Sequence, residues 1–179
     1  HTAKTVRTLK IEGVSNTRDL GGWTTEDGKW RIRYGMVYRG ANLENITDKG
    51  KDEMLNCLGV RTVLDLRTPG EGSAGAECPL GKGVNYILAG KTGGGYYWGN
   101  AFGINVYTEA MAREIRTFAN PENYPIYVHC AVGRDRTGSL AFLLGALLGM
   151  NVRDLFLEYE MSFLSASAGG DGADVKTMM

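Results

Sequence analysis

At 179 residues, 43% of them hydrophobic and 22% charged, the chain is long enough for one domain with a substantial core, and its composition is that of a globular protein rather than a disordered or disulfide-stapled one. Twenty basic residues balance 20 acidic ones, so no global field draws it to nucleic acid or to an anionic membrane, and any anion must be gathered by a local site. The longest apolar stretch, 141–150, is about half of the ~20 residues a bilayer demands, so no membrane span is expected; a soluble protein is, either cytoplasmic or secreted with its signal peptide removed.

In chain order, residues 30–39 alternate loosely after the turn at Glu26, Asp27 and Gly28, and read as a strand or hairpin arm. Thr47 caps a helix running to about Leu58, with Asp48 in its first turn and Gly59 as its stop. The β-branched run 60–66 reads as a strand covered on both faces, and 84–88 as another. Residues 89–104, rich in glycine and carrying Tyr96, Tyr97, Trp98 and Phe102, form either a functional loop or an irregular connection whose aromatics patch the core. A helix over 106–119 follows, with Ala110, Ile115 and Phe118 on its apolar side. A strand at 126–129 leads into an almost wholly apolar helix, 136–149, expected at the centre of the domain. A last helix, 152–164, is expected to bury Leu155, Phe156, Tyr159 and Phe163, and the tail 165–179 to be loosely ordered. Strands separated by helices predict a single α/β domain over 1–179, with a mainly parallel central sheet flanked by helices and its ligand site beyond the carboxyl ends of the strands.

Three cysteines are too few, and odd in number, for a disulfide framework. Cys57 reads as a buried structural thiol and Cys78 as an inert loop thiol. Cys130 alone has neighbours that give a thiol something to do. It stands between the 126–129 strand and the Arg136 helix, at a helix amino end beside arginines, the setting that favours a thiolate. The amides of residues 131–136, with Gly133 letting the backbone wrap, can point into one nest that takes a tetrahedral anion: Ala131, Val132, Gly133 and Arg134 line it. Five residues separate Cys130 from Arg136, enough to circle the anion and return a guanidinium whose planar fork matches two oxygens. Thr137 then places a hydroxyl near the sulfur. His129 either hydrogen-bonds to hold the loop or is simply a buried histidine. Arg18 and Asp19 are either a surface ion pair or, given the adjoining Gly21-Gly22 turn, placed near this loop. No cofactor is expected, and no metal, since cysteine and arginine neutralise the anion and the histidines and cysteines show no ligand spacing.

The segment from His129 to Thr137 resembles the signature of the protein tyrosine phosphatase superfamily: His-Cys, five residues, Arg, then Ser or Thr. With Asn16-Thr17-Arg18-Asp19-Leu20-Gly21-Gly22, Arg39-Gly40-Ala41, Asp65-Leu66-Arg67 and Glu158-Tyr159-Glu160-Met161-Ser162, the chain resembles over about 11–162 the bacterial tyrosine phosphatases that also act on lipids. Many members carry lysine where Arg134 stands, and many have longer lid and C-terminal segments. The resemblance implies a dual-specificity phosphatase acting through a phosphocysteine, with a phosphorylated protein or a phosphoinositide as substrate. It implies supporting roles for Arg18, Asp19, Arg39 and Arg67. There is no Trp-Pro-Asp segment to supply a general acid; the resembling branch uses an aspartate at the position of Asp135, and Asp65 is the second candidate unless it is spent on an ion pair with Arg67 or Arg39. Glu71 or a residue of 89–104 follows if both fail. A rhodanese-like sulfurtransferase and a non-catalytic phosphate-binding module are the alternatives; the first leaves Asp65 and the run Arg136-Thr137-Gly138 unexplained.

Overall fold

Short runs of β-branched and aromatic residues pair into one five-stranded sheet in a computed structural model that describes residues 7–90 and 108–165, the side chains of 108–110 excepted. The strands are β1 (Arg18–Asp19), β2 (Val37–Gly40), β3 (Thr62–Asp65), β4 (Asn85–Leu88) and β5 (Ile126–His129), in the spatial order β1-β2-β5-β3-β4. Only β1 runs antiparallel, against β2; every other pairing is parallel. The expected α/β architecture with a mainly parallel sheet is what forms.

Along β5, Ile126 and Val128 join one hydrophobic cluster with Leu64, Phe118 and Leu140, while Tyr127 joins a second with Val63, Met54 and Leu43. That alternation is the strand period of two, with a core on each face of the sheet. Each of these fully buried side chains contributes about 1.5–3 kcal/mol. The register sets Gly40, His129 and Asp65 level with one another, so β2, β5 and β3 end in one line and the Cys130 loop begins just beyond it.

Thr47 caps α1 (Asp48–Asp52) by accepting from the Gly50 amide at 3.1 Å, and Gly59, at φ +68°, ends the segment as expected. Between them the chain widens into a π turn, Glu53–Cys57, whose i→i+5 bonding shifts the side-chain phase. Met54 stays buried, but Cys57 turns out to solvent, so it is not the buried thiol the helical pattern suggests. Cys78 is half-buried against the second cluster.

The run 30–39 is divided rather than continuous. Gly35, at φ +75°, breaks it: the part before it is a hairpin arm, with Ile32 donating its amide to the Trp23 carbonyl at 2.8 Å, and the part after it is β2. Helix α2 spans Thr108–Ala119 and is followed by a 3-10 turn, Pro121–Asn123. The loop expected at 89–104 lies, from residue 91 onward, outside the described residues, as do the side chain of Ala110 and the tail beyond Ser165.

Helix α3 spans Asp135–Leu147, and only its first part is buried continuously; Leu147 is 64% exposed, contrary to a wholly central helix. Geometry explains this. Thirteen residues of helix measure about 20 Å, whereas a four-residue strand measures roughly 13 Å, so the helix outruns the sheet. Helix α4, Val152–Glu160, continues as a 3-10 turn, Met161–Leu164, and meets α3 closely at glycines: a Cβ on Gly138 would stand 2.6 Å from the Tyr159 ring. Its buried stripe is Leu155, Glu158 and Ser162. Phe156 lies one residue off that stripe and is 55% exposed, packing edge-on to Phe142, while Tyr159 and Phe163 are only partly buried. No helix among the described residues is long and apolar enough to cross a membrane.

Candidate active site

From Cys130 to Gly133 every carbonyl of the loop is held by a side chain, and that of Arg134 closes the first turn of α3 by accepting from the Gly138 amide at 2.8 Å. The Cys130 carbonyl accepts from His129 Nδ1 at 2.9 Å, and that of Ala131 from the Asn42 amide at 3.0 Å and its Nδ2 at 2.9 Å. Asn16 Nδ2 donates to the carbonyls of Val132 and Gly133, both at 3.1 Å. Arg39 Nη2 adds a bond to Gly133 at 2.6 Å and a longer one to Arg134 at 3.4 Å. Because a trans peptide points its C=O and the next N–H in opposite directions, turning five carbonyls out turns the amides of 131–135 in. Such a run of inward amides is the geometry of an anion nest, and it opens at the amino end of α3. Gly133, at φ +70°, is required twice over: a Cβ there would lie 2.1 Å from the Gly40 carbonyl oxygen.

Cys130, 2% exposed, starts this ring. His129 is buried, and burial holds its imidazole below the ordinary histidine range despite the Asp65 carboxylate at 3.7 Å. A carbonyl can only accept, so Nδ1 of the neutral ring carries the proton and donates it to the loop. Thr137 is fully buried in the first turn of α3, and its Oγ1 has no hydrogen-bond partner among the described residues, which leaves the hydroxyl able to turn to a ligand or to sulfur.

Asp65 is fully buried. Arg67 reaches it through Nε at 3.0 Å and Nη2 at 2.7 Å, and Tyr86 through its hydroxyl at 2.8 Å. Burial alone would raise the Asp65 pKa; the Arg67 bonds, with the further pull of His129 and Tyr86, outweigh it and hold the carboxyl below the usual range. Of the two readings left open by the sequence the geometry supports the Arg67 pair, and a carboxylate so held has no proton to give at neutral pH. Asp135 instead stands half-exposed at the start of α3, 3.5 Å from Arg134 Nε. Arg134 in turn lies 4.5 Å over the Phe163 ring.

Arg136 returns toward the loop, but its guanidinium is engaged: Nη1 and Nη2 donate to the two Glu71 oxygens at 2.7 and 2.6 Å. The sequence suggests Glu71 only as a fallback acid. Here it mimics the paired oxygens of an anion, and the bonds from Arg136, against some cost of burial, depress its carboxyl to about 2. Arg18 and Asp19 are not a surface pair with one another. Both are buried; Asp19 accepts from the amides of Gly21 at 2.7 Å and Gly35 at 2.8 Å, while Arg18 reaches Glu158 and Asn16. Glu158 also takes Arg39 at 2.6 Å.

Glu158, Asp65 and Glu71 favour the fold at neutral pH over acid, whereas Asp19, which burial raises, works the other way. Burial would raise Glu158, but Arg39 and Arg18 outweigh it, so Glu158, Asp65 and Glu71 all sit below their ordinary 4.5, 3.8 and 4.5. A depressed acid stabilises the fold above its unfolded value and loses that contribution as pH falls through the folded one. Neutral His129 acts in the same direction from 6.5 downward, because the unfolded chain then binds a proton the fold refuses. The melting temperature should therefore hold near pH 7 to 8 and decline steadily below about 6.5. A melting temperature that rises between pH 6.5 and 4 would contradict the assignments.

The tyrosine phosphatase family model matches residues 9–92 and 97–169. A Cupriavidus necator relative bearing a provisional tyrosine-protein phosphatase name is 31% identical over 170 residues, covering 84% of this chain; the chain spans 61% of that relative's length. The core catalytic domain of the PP-IP phosphatase SIW14 from S. cerevisiae superposes with a TM-score of 0.52 at 20% identity, over 70% of each chain. A P. aeruginosa TpbA variant in complex with pTyr gives 0.50 at 16% identity, over 85% of this chain and 80% of that one. At such identities the two structures speak to the fold alone.

Proposed function

The chain belongs to the tyrosine phosphatase family, and on that premise we propose that it hydrolyses phosphate monoesters through a phosphocysteine formed on Cys130. The observation that carries the reading is the loop itself, where outward carbonyls from Cys130 to Arg134 leave the amides converging beside the sulfur. Those amides bind the phosphate oxygens, and Arg136 exchanges the two Glu71 oxygens for two of phosphate. The Cys130 thiolate attacks phosphorus, the bond to the ester oxygen breaks, and the leaving oxygen takes a proton from Asp135. A water molecule, relieved of a proton by the same Asp135, then attacks the phosphocysteine. Phosphate departs and the sulfur leaves as thiolate, with the Thr137 hydroxyl free to donate to it. Arg18, Asp19, Arg39, Arg67 and His129 hold this frame and do not touch substrate.

Phosphotyrosyl proteins and phosphoinositides are the substrate classes this reading takes forward. The experiment measures release of phosphate from para-nitrophenyl phosphate in the presence of a chelator, then from phosphotyrosyl peptides and phosphoinositide vesicles. Turnover of the aryl phosphate with at least one of the two physiological classes is expected. Sulfur transfer from thiosulfate in its place, or binding without turnover, would overturn the reading in favour of a sulfurtransferase or a binding module.

Asp135→Asn tests the acid. Positioned proton transfer contributes about 10²–10⁴-fold, so the variant should lose on that order toward an alkyl phosphate and far less toward para-nitrophenyl phosphate, whose leaving group needs little help. The basic limb of its pH–rate profile should flatten. Equal losses on both substrates would remove Asp135 from the role.

A further inference from the structure

Glu158 is 4% exposed in the last turn of α4, and each of its oxygens holds one arginine: Oε2 accepts from Arg39 Nη1 at 2.6 Å and Oε1 from Arg18 Nε at 2.8 Å. Two separate routes run on from there to the same peptide of the loop. Arg39 Nη2 donates to the Gly133 carbonyl at 2.6 Å. Arg18 Nη1 donates to Asn16 Oδ1 at 2.6 Å, which leaves Asn16 Nδ2 facing the carbonyls of Val132 and Gly133, each at 3.1 Å. Ser162, one turn after Glu158, accepts from both arginines, at 3.0 and 3.4 Å.

A buried carboxylate between two arginines is by itself compatible with a purely structural role. Two features go beyond that. Both arms end on the phosphate loop, and they meet at Gly133, the position with positive φ and no side chain to hold its own turn. External donors must therefore fix that peptide, and its orientation decides where the next amide, that of Arg134, aims.

We propose that Glu158 is a positioning residue of the phosphate loop, fixing the Gly133 peptide through Arg39 on one side and through Arg18 and Asn16 on the other. This rests on the phosphatase reading of the loop. The closing helix α4 is thereby part of the catalytic frame, although Glu158 reaches the loop only through other residues.

The test compares wild type with Asn16→Gly, Glu158→Gln and Glu158→Asp, reading kcat, KM, vanadate affinity and melting temperature. Asn16 has φ 57°, a conformation glycine takes without steric cost, so Asn16→Gly removes one arm and leaves the backbone and the Arg39 arm in place. A misplacement of an ångström costs up to ~10²-fold. Asn16→Gly should lose about 10-fold in kcat and in vanadate affinity with an unchanged melting temperature and a smaller change in KM, and Glu158→Gln about 100-fold in both. Glu158→Asp, which keeps the charge and loses reach, should fall between wild type and Glu158→Gln. If Glu158→Gln does not fold, Asn16→Gly decides alone. Folded variants with wild-type kcat and vanadate affinity, or losses that only track the folded fraction, would overturn the proposal. Wild-type protein that binds vanadate but hydrolyses nothing would sink the phosphatase reading instead, and the vanadate affinities of the variants would still decide the role of Glu158.

Discussion

Cys130→Ser is expected to lose turnover by at least ~10³-fold while still binding phosphate and vanadate. The substitution changes one buried atom at a side chain that is 2% exposed, so it costs little volume. The carbonyls of the loop are held by His129, Asn42, Asn16 and Arg39, none of which contacts the sulfur in doing so. The amide nest should survive intact. What disappears is the sulfur nucleophile, because a serine hydroxyl gives up its proton far less readily than a thiol and attacks phosphorus poorly without that ionisation. Turnover of para-nitrophenyl phosphate and capture of a phosphotyrosyl ligand, measured on the same preparation, check both halves. More than a few per cent of wild-type kcat in the serine variant would remove Cys130 from its role.

Arg136→Lys should lose about 10²–10³-fold in kcat, with a smaller loss in ground-state phosphate binding. Charge is retained, so the effect isolates geometry. The guanidinium already shows its bidentate habit on Glu71, meeting two oxygens at 2.7 and 2.6 Å, and an ammonium offers one point of charge where the fork offers two aligned bonds. Charge spreads over the equatorial oxygens as the phosphoryl group transfers, so the second bond matters most in the transition state. Steady-state kinetics with vanadate inhibition separate the two terms. An unchanged kcat would show that Arg136 remains with Glu71 throughout the cycle.

The chemistry proposed for the loop is readable from the sequence alone because all of it lies between His129 and Thr137 and depends on order and spacing. The capped start at Thr47 and the stop at Gly59 were legible for the same reason: each is a local rule about one backbone position. What could not be read is what distance in sequence hides. Asn42 and Asn16 hold carbonyls 89 to 117 residues away, and Glu158 meets Arg39 across 119. Buried polar residues at helical spacing look like a solvated face until their partners are known. The single apolar errors have a common cause too. Periodicity says which side of a helix is oily and not where the sheet beneath it ends, so Leu147 and Phe156 were expected inside. Cys57 followed an α-helical phase that the π turn does not keep. Glu71 carried one signal, its place in the turn after Arg67, and that signal named no partner.

The central claim is a covalent bond between Cys130 and phosphorus. It is tested most directly by quenching the enzyme in acid during turnover of para-nitrophenyl phosphate and locating the phosphoryl group by mass spectrometry. The expected result is one phosphoryl adduct on the peptide that carries Cys130, decaying once substrate is exhausted and absent from Cys130→Ser. A phosphoryl group on another residue, or sustained hydrolysis by the serine variant with no covalent species at all, would contradict it.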